Sequence, residues 1–143
     1  MADLSVTPAD VRPLPGAFSR RYTAGGTVYA GNAVYLDTSG YVQHADANGS
    51  LTAVARGIVV ADSEGGTVAA SGDNVDVVVF GPVAGFSSLT PGLLVYCSAT
   101  AGLMTTAPTD LGAGTYEGVV GAVDSASIIF VNPYMPTTIG TAK

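Results

Sequence analysis

Two stretches of this chain share one outline, and the outline is that of a glycine-closed β-hairpin. The first runs Gly31-Asn32-Ala33-Val34-Tyr35-Leu36-Asp37-Thr38-Ser39-Gly40-Tyr41-Val42. The second begins sixty-one positions on and runs Gly92-Leu93-Leu94-Val95-Tyr96-Cys97-Ser98-Ala99-Thr100-Ala101-Gly102-Leu103. Each has a glycine, two residues, Val-Tyr, a small polar group, a second glycine and an apolar residue. Val60-Ala61-Asp62-Ser63 finds a further echo in Ala122-Val123-Asp124-Ser125. Apolar runs this short, punctuated by glycine, suit strands and tight turns, and no segment of ten residues has helical periodicity. The echo points to two similar halves packed face to face.

The pattern recurs along the chain. Strands are expected at 27–29, 33–37, 41–44, 51–61 (bulged at Gly57), 67–70, 74–80, 93–98, 103–106, 115–123 and 127–131. Between them lie turn signals such as Thr38-Ser39-Gly40, Asn48-Gly49 and Thr90-Pro91-Gly92. Gly81-Pro82 should end the strand at 74–80, whose run Val77-Val78-Val79-Phe80 predicts burial on both faces, in the core or against a neighbouring subunit. About ten strands of about five residues make an all-β chain, a single compact sandwich or barrel. Its 143 residues, 48% of them hydrophobic, suffice for one core.

The first 24 residues read differently. Thr7-Pro8-Ala9-Asp10 can start one helical turn, and Pro13 and Pro15 prevent its continuation. We expect an N-terminal arm over 1–24, flexible alone and ordered against something else, then a β-domain over 25–136 and a flexible C-terminal tail over 137–143.

Charge narrows the function. Eleven acids against five bases give a net charge of −6, which disfavours nucleic acid and anionic membrane surfaces. No apolar run approaches the ~20 residues of a membrane span, and the N-terminus lacks a signal peptide's apolar region. Three of the five bases, Arg12, Arg20 and Arg21, sit in the arm. They are either solvated at the start of the domain or anchors for an acidic partner through charge-assisted contacts.

Reaction chemistry finds little support. His44 is the only histidine and Cys97 the only cysteine. A nucleophilic assembly through His44 and Asp46 is weighed against the simpler reading of an exposed turn histidine and a buried cysteine, which we prefer. Asp73-Asn74-Val75-Asp76 and Asp62-Ser63-Glu64 cluster oxygen ligands, but turn formation explains them without an ion. We expect no catalytic residue, no metal and no cofactor. The tyrosines either cover a sheet or line a partner surface.

Several features resemble, together, the small β-rich decoration (cement, or head-stabilising) proteins of tailed-bacteriophage capsids. They are the arm, Thr23-Ala24-Gly25-Gly26, the Val34-Tyr35-Leu36-Asp37/Gly40 hairpin, Arg56-Gly57-Ile58-Val59, and Pro91-Gly92 with Val95-Tyr96 and Ala101-Gly102. The likeness spans roughly residues 10–135. It implies a virion protein made in the host cytoplasm and bound to the capsid exterior, its partners the major capsid protein and two further copies in a homotrimer that bridges capsomers. Arg12, Arg20 and Arg21 are then the capsid-binding candidates, and Val77, Val79 and Phe80 the oligomer-interface candidates. The alternative is a carbohydrate- or receptor-binding β-module of a phage fibre or adhesin.

Overall fold

The computed structural model describes residues 3–60, 66–108 and 111–133, and the backbone of Thr137–Thr138. In chain order the strands are β1 (Ser5–Val6), β2 (Arg12–Pro13), β3 (Phe18–Thr23), β4 (Val28–Tyr29), β5 (Ala33–Leu36), β6 (Val42–His44), β7 (Ala55–Val59) and β8 (Val68–Ala69). They continue with β9 (Asn74–Ala84), β10 (Phe86–Ser87), β11 (Leu94–Cys97), β12 (Met104–Thr105), β13 (Tyr116–Glu117), β14 (Val119–Ser125), β15 (Ile128–Val131) and β16 (Thr137–Thr138). The expected helical turn is a 3-10 turn, Pro8–Asp10, with proline at its start. Among the described residues no helix is long and apolar enough to cross a membrane.

The all-β expectation holds. One antiparallel sheet runs β12-β11-β14-β15-β9-β7-β5-β6 and curls into a half-barrel. Its concave side holds the main core, centred on Val11, Ile58, Val78, Val83, Val120 and Ile129, each fully buried.

The sequence echo is a symmetry of this sheet. Reading inward from either end gives a hairpin (β6-β5 or β12-β11), then β7 or β14, then β9 or β15, with the two halves joined by β9–β15 pairing. The irregularities match too. β5 shifts register against β7 between Val34 and Tyr35, and β11 shifts against β14 between Val95 and Tyr96. Opposite these shifts stand Gly57 and Gly121, and at each a Cβ would run into the carbonyl oxygen of the next strand inward, Val78 or Phe130. The bulge expected near Gly57 is present, and glycine is required there by close backbone approach, not by dihedral freedom.

β9 departs from expectation by continuing through Gly81-Pro82 to Ala84. Gly81 takes φ +112°, and Pro82, which has no N–H to give, accepts the Leu14 N–H at 3.0 Å. Here β9 changes partners. At Val77 and Val78 it is flanked by β7 and β3, and at Val83 and Ala84 by β15 and β2.

That flanking revises the reading of the N-terminal segment. Residues 18–23 are extended, but they pair with β9 at six positions, and Arg12 and Pro13 pair with Ala84 and Val83. Val11 is fully buried in the core and Ala24 nearly so. Leu4 and Thr7 donate backbone hydrogen bonds to Met104 and Gly85. The segment is thus ordered against its own sheet, because the long edge of β9 would otherwise present unpaired backbone groups. At the other end, Thr137–Thr138 pairs with Tyr116–Glu117 as β16, while 139–143 lie outside the described residues.

The two halves differ in what covers their convex side. Over β5, β7 and β9 lies the β4–β8 ribbon, which closes a second cluster of Val28, Val34, Val42, Val59, Ala69 and Val77. Val77 is therefore buried within the monomer, facing this cluster, and Val78 faces the main core. Val79, partly buried, packs against the second cluster as well. Two-sided burial of the valine run is met inside one chain, which removes Val77 from the interface candidates. Over β14 and β15 no described strand plays the part of β4–β8.

Candidate interaction surface

Strand alternation decides where the basic residues point. Arg20 stands opposite Val77 and so faces the convex side, its guanidinium 5.4 Å from the centre of the Tyr22 ring. Arg21 faces the other way, across from Asp76. Its Nε and Nη2 donate to the two Asp76 carboxylate oxygens at 3.1 and 3.4 Å. Arg12, opposite Ala84, returns to the convex side and lies 3.9 Å from the exposed Asp10 carboxylate. The three arginines thus share one strand line, but only Arg12 and Arg20 share a face.

Between those two lie Leu14, level with Pro82, and Phe18, level with Phe80. A register shift at Phe18/Ser19 sets Val79 off the ladder, so that Phe80, Pro82 and Ala84 continue the convex face. Phe18 is 68% exposed and Phe80 43%, and Phe80 meets Phe130 edge to face with ring centres 5.1 Å apart. From there an uncharged row crosses the sheet in register: Leu14, Pro82, Phe130, Ala122, Leu94. Phe80, expected at an interface from the sequence, is accessible; Phe130, Leu14 and Leu94, which extend its surface, were not singled out. Only the strand register, fixed by long-range pairing, brings them together.

A second feature is a cleft of about 330 Å³ beside the β5–β6 hairpin, lined by Tyr35, Gln43, His44, Asp46 and Thr52 together with Gly26–Val28. Its polar groups are largely committed to one another. Asp46 Oδ1 accepts from Asn48 N–H and the Thr52 hydroxyl, and Gln43 donates to Asp37 at 2.6 Å. That bond and the Tyr41 and Ser39 amides lower the Asp37 pKa. His44 is half-buried under the Gly102 turn instead of exposed, its Nε2 shielded from solvent and without a hydrogen-bond partner, and burial lowers its pKa.

Cys97 is buried, as expected, and its thiol is pushed up to about 12, first by desolvation and then by the Asp46 charge. Both influences oppose thiolate formation, the reverse of what a nucleophile needs. We expect Cys97 to resist a thiol reagent such as DTNB at pH 8 in the folded chain and to react within minutes once denatured; rapid labelling of folded protein would contradict this packing. Asp73 accepts from the Ala70 N–H and Asp76 holds Arg21, so these acids have separate structural partners. Among the described residues no three His, Cys, Asp or Glu side chains gather as metal ligands. Asp62-Ser63-Glu64 lies outside the described residues.

No family model matches this chain, and no curated protein is detectably similar to it.

Proposed function

We propose that this chain is a structural virion protein that binds the outer surface of a tailed-phage capsid as a homotrimer and stabilises it by bridging capsomers. The observation that carries the reading is the β2–β3 strand line. It holds three of the five bases of a chain with eleven acids, all three exposed and two of them, Arg12 and Arg20, on the convex face. Arginines on an edge strand also deter edge-to-edge aggregation. The Arg20–Phe18 pairing adds to that role an apolar anchor beside a positive charge, the combination favoured at the centres of protein interfaces.

Attachment in this form does not ask an arm to fold on the capsid. β3 is ordered on β9 beforehand, so the backbone entropy that a flexible arm loses on binding, about 1–2 kcal/mol per residue, is not charged against the contact.

The test is co-sedimentation with expanded capsids that lack the protein. Arg20→Glu is expected to weaken binding by about tenfold to a hundredfold, the range for losing a charge-assisted contact of ~1.5–3 kcal/mol, while leaving the melting temperature unchanged. Undiminished binding by Arg20→Glu and by Phe18→Ser would remove β3 from the attachment surface.

A second reading, a carbohydrate- or receptor-binding module, is favoured by the His44 cleft, whose mixed Tyr, Gln, Asp and Thr lining suits a hydroxyl-rich ligand. Glycan-array binding that Gln43→Ala abolishes, with no capsid binding, selects this reading over the first.

A further inference from the structure

We infer that the contact between the two outermost hairpins of the sheet is an acid-operated latch, in which protonation of His44 releases the Gly102 turn from the β5–β6 hairpin. The latch goes beyond the functional reading and does not depend on it. Its basis is the way that contact is built.

β6 and β12 end the sheet path, and the hairpins that carry them meet along one line. Gly102 N–H donates to the Ala45 carbonyl at 2.8 Å, and the Gly102 carbonyl accepts the Ala33 N–H at 3.0 Å. Ala47 N–H donates to the Ser98 carbonyl, and the Asn48 side-chain amide to the Ala99 carbonyl, both at 2.9 Å. Toward Asn48 the apolar packing is slight. Ala47 and Leu111, with Ala99 partly buried against them, form a cluster separate from the main core. A contact held there by hydrogen bonds over so little apolar surface opens more readily than the central strands do.

His44 stands at the other end of the line. It directly precedes Ala45, and its ring lies against Gly102, where a Cβ would come within 3.1 Å of the ring's Cγ and Cδ2. Its Nε2 is shielded from solvent and has no hydrogen-bond partner. A neutral imidazole can leave one buried nitrogen as a bare lone pair. An imidazolium carries N–H on both nitrogens, so protonation sets an unmet charged donor against the Gly102 turn.

Among the described residues nothing facing the ring offsets that charge. β5 brings Tyr35 to the adjoining cleft and the segment after β6 brings Asp46, while residues 26–28 and 99–103 bring no ionisable side chain. Asp46 is bonded to the Asn48 N–H and the Thr52 hydroxyl, and among the described residues no ion pair joins it to His44. Burial alone moves the imidazole pKa, and moves it down. Elsewhere on the two hairpins and the segment against them, Asp37 accepts from Gln43, Asp3 accepts from the Ser98 hydroxyl, and Cys97 is buried. The tyrosines are neutral throughout the acid range.

A released histidine takes up its proton near the ordinary value of 6.5, and the latched one only at lower pH. The contribution of neutral His44 to the closed latch is therefore fully present above that value and is lost as pH falls below it. At pH 5 a free imidazole favours its protonated form by about thirtyfold, which is the ceiling on how far acid raises the open fraction.

The test is amide exchange of the full chain by NMR at about pH 7.5 and pH 5, with each rate corrected for the intrinsic effect of pH. Protection of the Ala33, Ala47 and Gly102 amides should fall by about threefold to thirtyfold on acidification, while the amides of β9 and β15 keep theirs. His44→Gln, which cannot take up the proton, should make protection along the line independent of pH, whatever its absolute level. Asp46→Asn should leave the acid response in place. In the unaltered chain the His44 ring protons should titrate below 6.5, a reading that needs no variant. Unchanged protection at pH 5, or an equal loss in β9 and β15, overturns the inference. So does an acid response that His44→Gln retains or Asp46→Asn abolishes, and so does a His44 titration at or above 6.5.

Discussion

Gly57→Ala is expected to destabilise this chain by about 3–5 kcal/mol, the largest effect of any single methyl group considered. A Cβ at position 57 would occupy the space of the Val78 carbonyl oxygen, with the Val77 side chain also in contact. The obstacle is backbone in the strand that joins the two halves, so relief requires β7 and β9 to separate where Ile58 pairs with Val78 and Val59 with Val77. Overpacking that moves backbone costs about 1–3 kcal/mol in ordinary cores. Disturbing a ladder with Val77 and Val78 buried on its two faces adds to that. Against a total stability of about 5–15 kcal/mol, the melting temperature should fall by roughly 10–20 °C. Gly112→Ala is the matched control, since a Cβ there meets nothing within 4 Å, and it should melt within about 2 °C of the parent. A Gly57→Ala melt equally close to the parent would show that β7 and β9 do not approach as described.

Removing residues 1–22 should abolish the fold, not produce a trimmed domain that has lost only its attachment. The deletion takes Val11 from the main core and the pairing partners of β9 at five of the six β3 positions and both β2 positions. It also removes Val6, whose side chain lies against Gly31, and the Leu4 and Thr7 amides that bond Met104 and Gly85. Burying one valine is worth about 1.5–3 kcal/mol, and baring an edge of β9 opens a template for aggregation. The truncated chain should therefore be recovered as aggregate, or soluble without a cooperative melt. Recovery of a soluble product melting within 5 °C of full length would restore the view of this segment as a detachable arm. It follows that attachment is properly tested by point substitutions such as Arg20→Glu, because a deletion confounds loss of contact with loss of structure.

Much of the sheet could be read in advance, and the reasons are local. Gly40, Gly92 and Gly102 all take positive φ, the conformation that marks turns where glycine is favoured, so both hairpins showed themselves in short segments. Asp37 fixes the first turn through the Ser39 and Tyr41 amides, and Leu93 N–H closes on Thr90 across Pro91-Gly92 as a type II turn expects. The valine run disclosed its two-sided burial through β-branching alone. What escaped were long-range pairings. The segment around Arg20 and Arg21 is polar and follows two prolines, which by composition reads as a loose leader. Nothing near it in sequence announces a partner strand fifty-five residues away, at Asp76.

The same limit applies to the interaction surface. Arg20 could be singled out as a base in an acidic chain, but Leu14, Phe130 and Leu94 become neighbours only once β2, β9, β15, β14 and β11 lie side by side. The expected strand over 115–123 is likewise divided at Gly118, where a Cβ would run into the Ala53 carbonyl oxygen from a distant loop.

The six-position pairing of β3 with β9 bears on how the molecule answers to force. Tension drawn along β3, toward a contact made by Phe18 and Arg20, loads its cross-strand bonds together in shear, whereas a pull at right angles would part them one after another like a zipper. A grip placed on that strand resists most stiffly in the direction of its own length.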